Sequence, residues 1–170
     1  MAHITFQGNP VTTSGDLPAV GTKAPGFHLV DGELGDRRSG DWAGKVKILN
    51  IVPSLDTGVC ALSAKRFDRE AGKEKDIVVL VISADLPFAQ GRFCKAEGVT
   101  NVIPLSQMRD RSFGQDYGVE IMDGPLAGLL SRAVVVLDKS DTVVYTQQVA
   151  EIAVEPDYDA ALAVARAALK

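Results

Sequence analysis

Two long apolar runs dominate the hydrophobic pattern of the chain. Residues 45–52 contain a nearly continuous series of Val, Ile and Leu, and residues 77–83 read Ile-Val-Val-Leu-Val-Ile-Ser. Such runs are typical of strands that are covered on both faces of a sheet. We therefore predict two central strands, and Pro53 ends the first of them.

Each of these strands is followed by a pattern with helical spacing. Apolar side chains recur at intervals of three to four from Cys60 to Ala71, and Asp56 or Thr57 can cap this first helix. The pattern predicts that Cys60 lies in the first turn.

The second helix is predicted between the second central strand and Gly98. Asp85 can cap it, and Pro87 suits its first turn. Cys94 then lies well inside this helix.

Shorter elements are predicted on either side of this central region. Residues 4–6 and 11–13 are β-prone runs around the turn formers of residues 7–10, which predicts a hairpin within residues 1–14. Residues 14–44 are rich in Gly, Pro and Asp, and we interpret them as an irregular connection with one short strand at residues 26–30. The C-terminal part predicts a strand at 101–106, a hairpin of 133–137 and 142–149, and a helix from Pro156 to Leu169.

The order of these elements predicts an α/β fold. Strands and helices alternate and are followed by a terminal hairpin and helix, a pattern that resembles the thioredoxin-like mixed sheet flanked by helices, here with an N-terminal β-hairpin. With 170 residues and 46% hydrophobic content, the chain is large enough for one core, so we expect a single domain over residues 1–170.

Charge and hydropathy narrow the range of partners. The chain has 18 Lys plus Arg against 22 Asp plus Glu, a net charge of -4 with no run of like charges, so nucleic acid is not an expected partner. No stretch approaches the ~18 apolar residues of a membrane span, and the first twenty residues do not have the pattern of a secretion signal. We expect a cytoplasmic protein with no membrane partner.

The two cysteines are the candidates for chemistry. A pair is too few for the disulfide scaffold of a small secreted domain, and composition alone favours two buried small hydrophobes over redox chemistry. The position of Cys60 changes this picture, because the first turn of a helix presents free backbone N–H groups and the positive end of the helix dipole, which favour a thiolate.

Two neighbours of Cys60 can shape a small pocket beside the sulfur. Thr57 can place a hydroxyl there, and Pro53 offers an apolar wall without a competing N–H donor. Taken singly, Thr57 is as readily explained as a helix cap and Pro53 as a strand terminator.

Together these residues form the pattern Pro-x-x-x-Thr-x-x-Cys, through which the chain resembles the peroxiredoxins. The resemblance is closest to the bacterial thiol peroxidases, the atypical 2-Cys branch, and it extends over nearly the whole chain. The matching segments are Phe-Gln-Gly-Asn-Pro-Val at 6–11, Pro-Ser-Leu-Asp-Thr-Gly-Val-Cys at 53–60, Ser-Ala-Asp-Leu-Pro-Phe-Ala-Gln at 83–90, Arg-Phe-Cys at 92–94, Asp-Gly-Pro-Leu at 123–126, Arg-Ala-Val-Val-Val at 132–136 and Glu-Pro-Asp-Tyr at 155–158.

This resemblance implies a thiol-dependent peroxidase. Cys60 would be the peroxidatic cysteine, Cys94 the resolving cysteine of the same chain, and Thr57 and Arg132 the partners in peroxide activation, with Pro53 in the substrate pocket. Hydrogen peroxide or an organic hydroperoxide would oxidise Cys60 to a sulfenic acid, which would condense with Cys94 to an intrachain disulfide. Thioredoxin would be the reductant, no cofactor or metal would be needed, and a homodimer is expected.

Other functions remain open at this point. A thioredoxin-fold disulfide exchanger would carry Cys-x-x-Cys, whereas Ser63 stands where its second cysteine would be, so only monothiol exchange is possible locally. A noncatalytic binding protein or holdase would leave both cysteines inert in the core, and Arg132 would then be a solvated side chain at a strand end. A zinc site is not expected, because neither His3 nor His28 has ligand spacing to a cysteine.

Overall fold

Nine strands and four α-helices make up the computed structural model, which describes all residues from 1 to 170. The strands are β1 (His3–Phe6), β2 (Asn9–Thr12), β3 (His28–Val30), β4 (Asp36–Arg38), β5 (Val46–Ile51), β6 (Ile77–Ser83), β7 (Ile103–Ser106), β8 (Ala133–Leu137) and β9 (Val143–Gln148). The helices are α1 (Gly58–Ala71), α2 (Pro87–Glu97), α3 (Ser112–Asp116) and α4 (Tyr158–Ala167).

Seven of the strands form one mixed sheet in the order β4-β3-β7-β6-β5-β8-β9, while β1 and β2 form a separate antiparallel hairpin. Strands β5, β6 and β7 are parallel, and β8 runs antiparallel to β5. The two longest apolar runs thus become the centre of the sheet, where both faces are covered. The predicted α/β class, with a mixed sheet, flanking helices and an N-terminal hairpin, is confirmed.

Two apolar cores lie on opposite faces of the sheet. One face is covered by α1 and α4, whose buried side chains include Cys60, Phe67 and Leu162. The other face is covered by side chains that belong to neither α1 nor α4. They include Trp42 and Phe113. Because alternate side chains of β5 and β6 enter different cores, these strands tolerate no polar position on either face except where a specific partner exists.

Helix α2 is held less firmly than α1. Pro87 and Gln90 are its only buried residues, while Phe93 and Cys94 are partly buried against the core beneath α1. Gly91 lies in the middle of α2, and a β-carbon at this position would meet no atom within 4 Å. A glycine in a helix interior destabilises it by about 0.5–1 kcal/mol relative to alanine. The helix that carries Cys94 is therefore less stable than the same helix with alanine at this site.

Several predicted details differ from the structure. The connection at residues 14–44 contains a second strand, β4, and a short 3-10 helix at Ser39–Trp42, and α3 was not predicted at all. Strand β7 starts at Ile103 rather than residue 101, and α4 starts at Tyr158, because the carboxylate of Asp157 accepts a hydrogen bond from the backbone N–H of Ala160 and caps the helix there.

The N-terminal hairpin turns at Gln7 and Gly8, whose φ angles are 51° and 80°. Positive φ at both central residues is characteristic of the two-residue turn that suits the twist of a hairpin. Ile4 and Val11 of the hairpin pack with Ile121 and Ile152 in a small third core. No helix in the structure combines the length and the apolar character that a membrane crossing requires.

Candidate active site

Cys60 lies in the first turn of α1, as the sequence predicted. Thr57 is the N-cap residue, and the Cys60 side chain is fully buried. The backbone amides of residues 58–60 donate to no acceptor within the protein, which is the normal state of a helix N-terminus without a side-chain cap. These amides and the helix dipole favour negative charge on the sulfur, whereas burial opposes it. An additional positive group near the sulfur would shift this balance towards the thiolate.

Thr57 and Pro53 stand on either side of the loop that leads into α1. Pro53 is buried, and Thr57 is exposed. The Thr57 hydroxyl does not cap the helix. It donates instead to the carbonyl oxygen of Ser54 at 3.0 Å. Because its hydrogen is committed to Ser54, the Thr57 oxygen can only accept a hydrogen bond from a bound ligand.

Arg132 immediately precedes β8 and is 2% exposed, so the interpretation as a solvated side chain at a strand end is wrong. Ala133 is paired with Ile51, the last residue of β5. Arg132 therefore lies at the edge of the sheet where β5 ends and the loop before α1 begins. Its Nε donates to the carbonyl oxygen of Ile152 at 2.6 Å, and its Nη1 is buried without any partner. A buried guanidinium nitrogen without an acceptor is available for a ligand oxygen.

Cys94 lies on α2, and its side chain is partly buried against the same core that contains Cys60. Both cysteines are free thiols. Burial raises the pKa of the Cys94 thiol, and the nearby carboxylate of Asp68 raises it further. Both effects disfavour the Cys94 thiolate, which is the nucleophilic form of the side chain.

Asp85 connects the two cysteine-bearing segments, and the prediction that it caps α2 is wrong. It does not cap α2, whose N-cap is Leu86. Its carboxylate accepts hydrogen bonds from the Ser54 hydroxyl at 2.7 Å, the Leu55 backbone N–H at 2.8 Å and the Ser83 hydroxyl at 2.9 Å. Asp85 therefore fixes the start of the α2 segment to the loop before α1. A carboxylate ahead of a helix has the same local signature whether it caps that helix or binds a distant loop.

Asp68 anchors the other end of the α2 segment. This residue of α1 is buried, and its carboxylate accepts from the backbone amides of Thr100 at 3.0 Å, Asn101 and Val102 at 3.1 Å. The segment that contains α2 is thus anchored at both ends by carboxylates that bridge to α1 or to the loop before it, while the helix between them is weakly packed.

A cleft of about 470 Å³ opens between α2 and the loop before α1. Its lining includes Leu55 and Asp56 from the loop and Phe88, Arg92 and Phe93 from α2. Neither cysteine lines this cleft.

The structure brings Pro53, Thr57 and Cys60 together through one continuous segment and places Arg132 at the same edge of the sheet. It places Cys94 on a separate helix with no bond to Cys60. The arrangement is a buried thiol at a helix N-terminus, with a hydroxyl acceptor nearby and a free guanidinium nitrogen at the same sheet edge, and a second thiol within the adjacent helix.

Comparison with known proteins adds three findings. The Redoxin family pattern matches residues 19–162. A thiol peroxidase of Mycobacterium tuberculosis is 56% identical over 163 residues, which cover 96% of this chain and 98% of that protein. The crystal structure of a peroxiredoxin-like protein from Aquifex aeolicus superimposes with a TM-score of 0.93 at 38% identity, covering 99% of this chain and 98% of that one. The thiol peroxidase from Chromobacterium violaceum gives 0.87 at 26% identity, covering 97% and 95%.

Proposed function

This chain belongs to the Redoxin family and is a thiol-dependent peroxidase, and we propose that Cys60 is the thiol that peroxide oxidises. The observation that carries this assignment is the position of Cys60 in the first turn of α1, where three backbone amides have no acceptor and Arg132 lies at the adjacent sheet edge. Each of these groups favours negative charge on the sulfur and on the leaving oxygen of the peroxide.

In the first step the Cys60 thiolate attacks one oxygen of the peroxide. A sulfur–oxygen bond forms as the oxygen–oxygen bond breaks, so that sulfur is oxidised to a sulfenic acid and the second oxygen leaves as water or an alcohol after taking a proton. The unpartnered Nη1 of Arg132 donates to the peroxide and stabilises the charge on the leaving oxygen. The Thr57 oxygen accepts from the peroxide hydroxyl, which fixes its orientation, and Pro53 closes the pocket with an apolar wall.

In the second step the Cys94 thiolate attacks the sulfenic sulfur, the sulfur–oxygen bond breaks and the oxygen leaves as water after taking a proton, so that an intrachain disulfide forms. A disulfide requires Cα atoms within about 7 Å, which two cysteines on separate packed helices do not normally reach. We therefore propose that the first turn of α1 and the weakly packed α2 open locally. Opening also exposes Cys94 and removes the burial that raises its pKa.

Reduction completes the cycle. We propose that thioredoxin reduces the disulfide by thiol–disulfide exchange, as the family suggests, and that the enzyme is a cytoplasmic homodimer which needs no cofactor. Apolar side chains next to the site, including Leu55 and Phe93, favour organic hydroperoxides as substrates together with hydrogen peroxide.

A coupled assay tests this function. The purified protein is mixed with thioredoxin, thioredoxin reductase and NADPH, and NADPH oxidation is followed after addition of hydrogen peroxide or an organic hydroperoxide. We expect oxidation that depends on both the protein and the peroxide. Reduction of a disulfide substrate without peroxide consumption would indicate a monothiol exchanger, and the absence of both reactions would indicate a noncatalytic protein.

Replacement of Arg132 with alanine is expected to slow peroxide attack by ~10²-fold, as for removal of one preorganised electrostatic group. The measurement is the rate at which peroxide oxidises Cys60 in a single turnover, followed by quenched thiol labelling. Arg111→Ala is a matched control, because Arg111 is exposed and donates to the carbonyl oxygen of Gly128. An unchanged rate in Arg132→Ala would show that Arg132 is only structural.

Gly91→Ala tests the proposed opening of α2. The substitution is expected to stabilise the helix by about 0.5–1 kcal/mol, which corresponds to a ~2–5-fold slower disulfide formation after peroxide attack. The rate of Cys60 oxidation itself should not change. The measurement is the disappearance of free Cys94 after one equivalent of peroxide, with Gly40→Ala as the control at another open position. Equal disulfide rates in the two variants would contradict opening of α2.

A further inference from the structure

One residue, Ile152, links the N-terminal hairpin to Arg132 through its backbone N–H and its backbone carbonyl. The backbone N–H of Ile152 donates to the carbonyl oxygen of Thr5 in β1 at 2.9 Å. The carbonyl oxygen of the same residue accepts from Arg132 Nε at 2.6 Å. The position of the Ile152 carbonyl therefore depends on the hairpin on one side and determines the position of the guanidinium on the other.

Glu151 locks the hairpin onto this segment. Its carboxylate accepts from the hydroxyl of Thr5, from the backbone N–H of Gln7 at 2.9 Å and from that of Gly8 at 3.2 Å. The left-handed conformation of the turn points both amides at the carboxylate. The Thr5 backbone N–H adds a bond to the carbonyl oxygen of Ala150 at 2.8 Å. The turn and first strand of the hairpin are thus bound to residues 150–152.

The rest of Arg132 is fixed independently. Its backbone oxygen accepts from the Val149 N–H and from the Gln148 side chain, both at 3.0 Å, so β9 holds the main chain in place. The Arg132 side chain is 2% exposed, and the bond to Ile152 is its only hydrogen bond to the protein. Packing confines the side chain, and this one acceptor sets the direction of the guanidinium within that space.

We propose that the N-terminal hairpin, locked by Glu151, is a positioning element for Arg132 that acts through the Ile152 carbonyl. The inference rests on the proposed role of Arg132 in peroxide attack. The hairpin holds the guanidinium so that Nη1 remains directed at the reacting oxygens, and it thereby preorganises the charge before the peroxide arrives. Glu151 and Thr5 touch neither substrate nor sulfur, and they act only through the backbone of Ile152.

The charge state of Glu151 suits this role. The Thr5 hydroxyl and the amides of Gln7, Gly8 and Ala153 hold the pKa of Glu151 at about 2. The carboxylate therefore stays ionised at the near-neutral pH at which a thiol enzyme works, and its hydrogen bonds to the hairpin do not depend on pH there. A substitution is the direct way to remove them.

Glu151→Gln is the test variant, because the amide nitrogen cannot accept the bonds of its former oxygen. Asp123→Asn is the matched control. The Asp123 carboxylate binds the other strand of the hairpin through the Thr12 N–H at 2.8 Å and the Thr12 hydroxyl at 3.0 Å, without contact to residues 150–152. We expect single-turnover Cys60 oxidation to slow by ~10-fold in Glu151→Gln and by less than ~2-fold in Asp123→Asn. Equal effects of the two variants would overturn the proposal.

A double-mutant cycle separates positioning from general weakening. In the Arg132→Ala background, Glu151→Gln should cause no further loss, because the group that it positions is gone. A full ~10-fold loss in that background would show that the hairpin does not act through Arg132. If Arg132→Ala alone leaves the rate unchanged, the proposed role of Arg132 fails instead. Thr5→Val, which removes one hydroxyl donor, repeats the cycle if Glu151→Gln does not fold by circular dichroism.

Discussion

Cys60→Ser should abolish peroxide reduction, with a loss of ~10⁴-fold or more in the rate of peroxide consumption. The reaction needs an anionic, polarisable nucleophile, and a serine hydroxyl in the same position remains neutral and cannot be oxidised to a sulfenic acid. Direct measurement of hydrogen peroxide in the thioredoxin-coupled assay gives the rate. The Cys94→Ser protein in a single turnover is the internal comparison, since it retains the first nucleophile.

The fold of this variant requires its own control. Cys60 is fully buried, and a hydroxyl without a partner at such a site costs about 1–3 kcal/mol. Cys60→Ala removes the nucleophile without introducing a polar group and leaves only a small cavity, so both variants should be inactive, and thermal unfolding shows whether each is folded. Peroxide consumption by a folded Cys60→Ala protein would show that another group is the nucleophile.

Cys94→Ser should leave the first reaction intact and stop the cycle after it. The expected product is a protein with a sulfenic acid at Cys60, and steady turnover with thioredoxin should fall by ~10³-fold or more, because no disulfide forms for thioredoxin to reduce. Serine replaces a thiol that is only partly buried on the weakly packed α2, so the fold should be little affected.

Mass spectrometry of this variant after one equivalent of peroxide is the measurement. A gain of one oxygen on the peptide that contains Cys60, trapped with a sulfenic-acid reagent, is the expected result. The wild-type protein under the same conditions should instead lose two hydrogens and show a cross-link between the peptides of Cys60 and Cys94. Normal turnover of Cys94→Ser would mean that the cycle uses one cysteine or a partner thiol.

The central part of the fold could be predicted because its signals are local. The apolar runs of β5 and β6 and the helical spacing of α1 are each contained in a few residues, and the first-turn position of Cys60 followed from them. Strand β4 and helix α3 carry no such signal. The sequence Asp-Arg-Arg of β4 is polar throughout and pairs with β3 only because the chain returns there, and α3 is five residues long and is held by the burial of Phe113.

The residues of the candidate site also differ in whether their sequence signals are local. Pro53, Thr57 and Cys60 form a contiguous pattern, whereas Arg132 could be connected with them only through family resemblance, since seventy residues separate it from the motif. The interpretation of Asp85 as a helix cap is wrong because two of its partners, Ser54 and Leu55, lie 31 and 30 residues earlier in the chain. The Ile152 carbonyl has no sequence signature at all, because every residue carries the same group.

The carboxylate anchors at either end of α2 affect which of two reactions consumes the sulfenic acid, disulfide formation or further oxidation. When α2 unwinds in the proposed cycle, Asp85 and Asp68 still hold its two ends, so Cys94 moves as part of a short closed loop and not on a free tether. Short loops keep a group at an effective concentration of about millimolar near its target. A second peroxide molecule must reach the sulfenic acid from dilute solution. In the proposed cycle the anchors would therefore favour disulfide formation over irreversible oxidation to a sulfinic acid, and two side chains on neighbouring segments would give Cys60 kinetic protection.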